Sequence, residues 1–207
     1  HKITEDSLVA PTNPYGRSKM MVELMLKDIE AISNLNYVNL RFFNVAGADK
    51  QLRTGHAGSN NTHLIKVACE VAHGLRDHVE IFGTDYSTPD RTCVRDYIHV
   101  SDLASALVAS VEYLRSNNKS LTLNCGYSIG TSVREVINAI NAVLGRTIKT
   151  TEGLRRTGDS ESIIADANSI KEVLDWHPSY TSIDSIVRTA LDWEETLLNK
   201  SLTKFIK

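Results

Sequence analysis

The chain has 207 residues, which is enough to bury a real hydrophobic core as one compact domain or as two small ones. Hydrophobic residues make up 42% of the sequence, charged residues make up 23%, and the formal net charge is -2. This composition has no basic surplus of the kind that indicates nucleic-acid binding. The N-terminus is polar, unlike a signal peptide, and no apolar stretch approaches the roughly 20 residues that cross a bilayer.

The three cysteines indicate a reducing compartment. Cys69, Cys93 and Cys125 are odd in number, widely spaced and without a Cys-x-x-Cys pattern. This spacing predicts reduced thiols in a cytoplasmic protein rather than disulfides or a zinc site. The chain also begins without methionine, inside a predicted loop, so we expect it to be a piece of a longer protein.

The first predicted helix carries the residues on which the functional interpretation depends. Asn13 can cap this helix, Pro14 suits its first turn, and apolar residues recur at helical spacing to about Ala31. Tyr15 and Lys19 are four residues apart, so they lie one turn apart on the same helix face. An ammonium group near a phenol stabilises the phenolate, which makes tyrosine a usable proton acceptor and donor. For an isolated pair, an exposed turn without function is the alternative.

Strands and helices alternate along the rest of the chain, which predicts an α/β fold with a parallel sheet. The predicted strands cover 37–43, 79–82, 94–100, 121–126 and a stretch near Ile148. The predicted helices cover 63–72, 101–114, 133–144, 167–174 and about 183–198, with Thr131 or Ser132 as a cap and Gly145 as a stop. A loop rich in Gly, Asn, Asp and Lys covers 44–61. No Gly-x-Gly-x-x-Gly turn follows any strand, so the phosphate-binding half of a dinucleotide fold is not in this chain.

An ordered set of motifs favours a functional role for Tyr15 and Lys19 over an exposed turn without function. The motifs are PYGRSK at 14–19, RFFNVAG at 41–47, NTHLI at 61–65, IFGTDY at 81–86, RTCVRDYIHVSDLA at 91–104, RRTGD at 155–159 and AD at 165–166. Their order resembles the extended short-chain dehydrogenase/reductase family from about residue 10 to about 195. The segment 82–100 is narrower and is similar to that of its nucleotide-sugar epimerases.

The resemblance implies an NAD-dependent isomerase of galactose metabolism that epimerises UDP-glucose and UDP-galactose at C4 through a 4-keto sugar. Tyr15 would exchange a proton with the sugar 4-hydroxyl. Lys19 would hydrogen-bond the nicotinamide ribose and stabilise the phenolate, and NAD would carry out the redox chemistry. Phe43 either packs near the nicotinamide or fills the core. The Ser or Thr that the family uses at the same hydroxyl would precede His1.

A UDP-sugar site is also implied. Its expected residues are Asn44, His63, Leu64, Phe82, Arg95, Arg156 and Asp159. The two arginines suit a pyrophosphate because a planar guanidinium pairs with two oxygens. Asp159 would accept a hydrogen bond from a ribose hydroxyl.

Each of these assignments has a plainer alternative. Arg95 could instead pair with Asp96 or Asp90, while Arg156 could be a simple exposed side chain. Asn44 and Asp159 could be turn residues, and an aromatic at the end of a strand, such as Phe82, is often part of the core.

Two residues depart from the family pattern. His63 stands where some members have an asparagine that contacts substrate, so it would act through its backbone or cap a helix. Lys66 stands where proline is common. Ile163 is intermediate in size at the position that limits room beside the sugar, which leaves acceptance of N-acetylated sugars open. His99 is expected to be a structural histidine, and the other histidines lack metal-ligand spacing.

The resemblance also implies a domain organisation and a partner. Residues 1–48 would be the remnant of an NAD-binding Rossmann domain. Residues 49–207 would be mainly a substrate-binding domain, with segments near 95–130 returning to the Rossmann sheet. A homodimer would form through the helix after Tyr15, and the isolated chain would be inactive. The alternatives are a related nucleotide-sugar dehydratase or decarboxylase and a non-catalytic nucleotide-sugar-binding remnant.

Overall fold

The computed structural model describes residues 1–58 and 61–204, in which the predicted α/β class is confirmed. The helices in this part of the chain are α1 (Pro14–Ile32), α2 (Leu64–Ala72), α3 (Val100–Ser116), α4 (Val133–Leu144), α5 (Asn168–Leu174) and α6 (Ile183–Lys204). The strands are β1 (Val38–Phe42), β2 (Asn44–Ala46), β3 (Val79–Phe82), β4 (Val94–His99), β5 (Leu121–Cys125), β6 (Gly130–Ser132), β7 (Thr150–Gly153) and β8 (Ser162–Ile163). Over the same ranges, no helix is both long enough and apolar enough to cross a membrane.

Most strand pairs are parallel, as the alternation of strands and helices predicts. β1 pairs with β5, and β3 pairs with β7, both in parallel. β4 has parallel partners in β2 and β8 and an antiparallel partner in β6. The connection from β1 to its parallel partner β5 is long and contains β2, α2, β3, β4 and α3.

One predicted strand and one predicted loop need correction. The predicted strand 37–43 ends at Phe42, and the predicted loop 44–61 begins with β2; residues 59 and 60 of that loop lie outside the described chain. The backbone N–H of Phe43 still donates to the carbonyl of Cys125 at 3.1 Å, after which the chain pairs with β4 instead of β5. The break therefore arises because the chain changes partner, which hydrophobic periodicity does not reveal.

The helix ends follow the predicted capping residues. The side chain of Asn13 accepts a hydrogen bond from the backbone N–H of Gly16 at 2.8 Å, and Pro14 is the first residue of α1. The hydroxyl of Ser132 accepts from the N–H of Glu135 at 3.1 Å, while the Glu135 carboxylate accepts from the N–H of Ser132 at 2.7 Å. This reciprocal pair satisfies two of the free donors at the start of α4.

Two buried carboxylates tie β4 and α3 to the surrounding segments. Asp96 accepts hydrogen bonds from the backbone N–H groups of Tyr127 at 3.0 Å and Ala165 at 3.2 Å. Asp102 accepts from the Tyr127 hydroxyl and from the Tyr180 N–H at 2.9 Å. Burial raises the pKa of Asp96, and burial together with the bond to Asp102 raises the pKa of Tyr127. Tyr127 is therefore a protonated donor that joins both carboxylates.

His99 is a structural histidine, as predicted. It is fully buried, and its Nδ1 accepts a hydrogen bond from the N–H of Ser101 at 3.0 Å. Because Nδ1 is an acceptor, the proton of the neutral ring is on Nε2, which donates to the Thr189 hydroxyl at 2.9 Å. The ring also stacks on Tyr180 at 4.0 Å between centroids. Burial lowers the pKa of His99, although Asp102 and Asp49 act in the opposite direction.

We predict that His99 makes the protein less stable as the pH falls through the ordinary histidine range. Burial holds the pKa of His99 below its usual value of about 6.5. Between the two values the unfolded chain binds a proton that the folded chain excludes, so this stability is present above about pH 6.5 and is lost below it. The variant His99→Gln should be less stable throughout, but its melting temperature should fall less between about pH 7 and pH 5.5.

The matched control for this experiment is His177→Gln, because the His177 side chain is exposed. Thermal unfolding of the full-length protein should show the wild-type pH dependence in that variant. An equally steep fall in the His99 variant would contradict the prediction.

Candidate active site

Tyr15 and Lys19 form an exposed pair at the start of α1. The Nζ atom of Lys19 lies 5.2 Å from the centroid of the Tyr15 ring, and Tyr15 is 68% exposed. The four-residue spacing thus places a cation beside the phenol, as expected on one helix face. The pair is open to a ligand that approaches α1 from this side.

α1 is held to the sheet by a polar contact. Arg41, on β1, donates through Nε and Nη2 to the two carboxylate oxygens of Glu23 at 2.8 and 2.7 Å. Its Nη1 donates to the carbonyl of Glu5 at 2.8 Å. The bond to Glu23 raises the pKa of Arg41 further above its ordinary value. Since α1 has no buried residue among those described, this two-bond ion pair is a main restraint on the helix that carries Tyr15.

A cavity of about 1040 Å³ is bordered by residues of β2, β3, β4, α2 and α6. Six of the seven predicted substrate residues line it: Asn44, His63, Leu64, Phe82, Arg95 and Arg156. The volume is at the upper end of the range of about 300–1,000 Å³ that is usual for small-molecule sites. Tyr15, Lys19, Phe43 and Asp159 are not on its wall. The fold therefore brings six of the predicted substrate residues to one cavity, whereas Tyr15 and Lys19 are not on its wall.

Asp159 lies behind the two arginines of the cavity. Its Oδ2 accepts a hydrogen bond from Nε of Arg156 at 2.8 Å, and its Oδ1 lies 3.8 Å from Nη2 of Arg95. Arg95 also donates to the Val94 carbonyl at 2.8 Å, and its side chain is only 12% exposed. Two guanidinium groups thus share one carboxylate, which leaves a local excess of positive charge for an anionic ligand.

The alternative partners considered for Arg95 are occupied by other donors. Asp96 accepts hydrogen bonds from backbone N–H groups, and Asp90 accepts from the N–H of Thr92 at 2.9 Å and from the Ser132 hydroxyl. In the described part of the chain Arg95 pairs with Asp159, so the alternative salt bridges to Asp96 or Asp90 are wrong.

The two aromatic residues in question differ in their surroundings. Phe82 ends β3, borders the cavity, and lies beneath the guanidinium of Arg156, whose Cζ is 4.8 Å from the ring centroid. Phe43 is half-buried and packs against the hydrophobic core. Phe82 is thus available to a flat ligand group on the cavity side, while the contacts of Phe43 in this chain are core contacts.

The first residues of α2 border the cavity, and no described residue caps their backbone N–H groups through a side chain. His63 is the residue before the helix, and its side chain makes no capping hydrogen bond. The N–H groups of residues 64–66 precede the first helical bond, which runs from Val67 to the His63 carbonyl at 2.9 Å. The His63 ring instead contacts His56 edge-on at 5.4 Å. Burial, and then the charges of His63 and Lys66, lower the pKa of His56.

Sequence reasoning missed a set of buried charges in the same wall. Lys66 and Glu194 both border the cavity and form an ion pair, although they are far apart in sequence. Trp193 borders the cavity beside them. The burial of Glu194 could not be predicted from the sequence, because an acidic residue in an amphipathic helix is normally part of an exposed face. Ile163 lies opposite Arg95 in the β4–β8 pair and is not on the cavity wall.

The thiols and histidines form no metal site in the described part of the chain. Over residues 1–58 and 61–204, no group of three or more His, Cys, Asp or Glu side chains could hold a metal ion. The three cysteines are free and buried. Burial raises the pKa of Cys69 and Cys125 to about 12, so these thiols are poor nucleophiles near neutral pH.

Similar proteins are found along almost the whole chain. The chain is 52% identical over 195 residues to a UDP-glucose 4-epimerase from Azospirillum brasilense, which covers 94% of this chain and 56% of that protein. It is 42% identical over 193 residues to the UDP-glucose 4-epimerase of Halalkalibacterium halodurans, with coverage of 93% and 58%. The chain thus spans little more than half the length of these curated relatives.

Solved structures give the same result. The structure of UDP-glucose 4-epimerase from Stenotrophomonas maltophila with NAD and formylated UDP-arabinopyranose matches with a TM-score of 0.92 and 34% identity over 96% of this chain and 59% of that one. The enzyme from Bifidobacterium longum in complex with NAD+ and UDP matches with a TM-score of 0.89 and 35% identity, and with coverage of 96% and 59%. The profile of the NAD dependent epimerase/dehydratase family matches residues 1–126. Since that match covers more than half of the 207 residues, the chain belongs to the NAD dependent epimerase/dehydratase family.

Proposed function

We propose that this chain is part of an NAD-dependent enzyme that epimerises a UDP-hexose at C4 and interconverts UDP-glucose and UDP-galactose. The observation that carries the proposal is the convergence of six separated substrate residues on one cavity, with two guanidinium groups side by side. The UDP-glucose 4-epimerases among its relatives, some solved with NAD and UDP, support the same choice.

The cavity suits the nucleotide end of such a substrate. Arg95 and Arg156 bind the pyrophosphate, because each offers paired N–H donors and Asp159 already fixes their direction. We also assign the Asp159 carboxylate, which lies behind the arginines and off the cavity wall, as the acceptor for a ribose hydroxyl. The uracil ring lies against Phe82, and Asn44, at the point where β1 passes into β2, contacts the sugar.

The Tyr-Lys pair suits the nicotinamide end of NAD. Both side chains are exposed on one face of α1, and no glycine-rich turn for the NAD phosphates occurs in this sequence. When bound, NAD supplies the oxidation of the sugar and the reduction that follows it. Tyr15 takes the proton of the 4-hydroxyl at its phenol oxygen and later returns it. Lys19 holds the nicotinamide ribose and places its ammonium group beside the Tyr15 ring.

The proposal includes the organisation of the whole protein. Residues 1–48 belong to the NAD-binding domain, and residues 49–207 are mainly the substrate-binding domain, with segments near 95–130 in the sheet of the first. The isolated chain is therefore inactive, because most of the NAD site lies elsewhere. The free, buried thiols are compatible with the proposed cytoplasmic location.

A homodimer through α1 is the proposed assembly. The helix exposes a stripe of apolar residues at helical spacing. These residues are Met21, Val22, Met25, Ile29 and Ile32. A second copy of the same helix would remove this stripe from water. Contiguous exposed apolar faces usually mark such interfaces.

Replacing the phenol of Tyr15 should remove proton transfer and leave binding nearly intact. In the full-length protein we expect Tyr15→Phe to lower kcat by about 10²- to 10⁴-fold, because general acid–base catalysis contributes about that much. KM for UDP-galactose should change little, since the cavity is untouched. A coupled assay of UDP-glucose formation gives both constants. Tyr113→Phe, on α3, is the control, and full turnover in the Tyr15 variant would remove this mechanism.

Removing a guanidinium from the cavity should weaken nucleotide binding. Charge-assisted hydrogen bonds contribute about 1.5–3 kcal/mol each, so Arg95→Ala should weaken UDP binding by about 10- to 100-fold. Titration calorimetry with UDP measures this change. Arg134→Ala is the matched control, because Arg134 pairs with Glu152 outside the cavity. Equal affinities in the two variants would refute the assignment of Arg95 to the pyrophosphate.

A charge in the apolar stripe should separate the proposed dimer. We expect Met25→Glu in the full-length protein to shift the sedimentation coefficient from that of a dimer to that of a monomer. Lys27→Glu changes charge on another face of the same helix and should leave the dimer intact. A wild-type protein that sediments as a monomer would exclude this assembly.

A further inference from the structure

Four charged side chains form a cluster at the wall of the cavity: Lys66, Arg76 and Glu194 border the cavity, and Glu70 contacts Lys66 and Arg76. We call Lys66, Glu70, Arg76 and Glu194 the charge cluster. Lys66 is 8% exposed and Glu194 3% exposed, and the Lys66 ammonium donates to the Glu194 carboxylate. Lys66 also lies 3.6 Å from Glu70, which accepts a hydrogen bond from Arg76. The cluster contains two positive and two negative charges, so its formal charges cancel.

Stability alone gives little reason for such a cluster. Burying two charges costs hydration free energy that the ion pair only partly recovers, and a buried pair is often no better than apolar residues of similar volume. α2 and α6 already contribute apolar residues to the core, including Ile65, Cys69 and Leu191. Apolar packing already holds α2 against α6. The ion pair between Lys66 and Glu194 therefore fixes how the two helices are oriented in that contact.

The cluster joins the segments that border the cavity on this side. Arg76 donates through Nη2 to the Asn61 carbonyl at 3.0 Å, which restrains the chain just before α2. Trp193, next to Glu194 on α6, donates from Nε1 to the His56 carbonyl at 3.2 Å. Lys66 itself is the third residue of α2. One turn of α6 thus contacts both the first turn of α2 and the loop that precedes it.

The first turn of α2 needs such a restraint. His63 provides no side-chain cap, so the N–H groups of residues 64–66 lack the local acceptor that usually fixes a helix start. Those donors and the positive end of the helix border the ligand cavity. If the turn frays, the donors no longer point in a fixed direction.

We propose that Lys66 and Glu194 are positioning residues, whose ion pair fixes the first turn of α2 so that the N–H groups of this turn and His63 face the bound UDP-sugar. The inference rests on the proposed function, because it assigns a role in binding that ligand. Neither residue touches the substrate in this account; both act through the helix start.

The test compares three variants of the full-length protein: Lys66→Met, Glu194→Gln and the double variant Lys66→Met/Glu194→Met. We expect KM for UDP-galactose to rise by about 5- to 20-fold in each, with kcat within about twofold, because positioning affects binding and leaves Tyr15 in place. The double variant should regain a melting temperature near that of the wild type, since both charges are gone, and should keep the raised KM. It also keeps the test valid if either single variant fails to fold.

Arg134→Met is the control, because it breaks an ion pair outside the cavity and should leave KM unchanged. A folded double variant with the wild-type KM would overturn the proposal and make the cluster structural only. A rise in KM of equal size in Arg134→Met would also overturn it. If the wild-type protein binds no UDP-sugar, the proposed function fails and this inference fails with it. If the wild type binds UDP-sugar but the double variant keeps the wild-type KM, only this inference fails.

Discussion

The structure depends on two buried carboxylates that hold β4 in place, Asp96 within the strand and Asp102 in the helix that follows. Each accepts several hydrogen bonds, and Tyr127 donates to both, through its backbone N–H to Asp96 and its hydroxyl to Asp102. A buried charge is tolerable only when such donors surround it. The neighbouring residue Arg95 borders the cavity instead, and its carboxylate partner Asp159 lies behind the cavity wall. The position of Arg95, the predicted substrate residue on β4, therefore follows from hydrogen bonds within the fold.

The cavity itself follows from a change of strand partners. The chain pairs with β5 through β1 and then with β4 through β2, and Asn44 is the first residue after the change. Where strand pairing changes in an α/β fold, the strand ends diverge and leave a crevice that is suited to ligands. α2 and α6 close this crevice from the other side, so residues from opposite ends of the sequence share one wall.

Local features of the sequence predicted local structure well. Asn13 and Ser132 cap helices as expected, because a cap depends only on residues within one turn. β6 and β8 were not predicted, since strands of two or three residues have no measurable alternation. The pairing of Arg95 with Asp159 and of Lys66 with Glu194 could not be predicted either, because each joins segments whose contact is set by the whole fold. The gathering of the substrate residues was implied only by family resemblance; spacing alone predicted no more than Tyr15 and Lys19.

The ion pair between Arg41 and Glu23 fixes the tilt of α1, and the tilt of α1 sets the position of Tyr15. Glu23 is eight residues beyond Tyr15, which is about 12 Å along a helix that rises 1.5 Å per residue. A tilt of about 5° at that anchor would carry the phenol about 1 Å sideways, and a misplacement of that size can cost about 100-fold in rate. In the proposed mechanism, the planar fork of Arg41 therefore helps to aim the Tyr15 phenol, because it fixes direction as well as distance, although it lies two helical turns away.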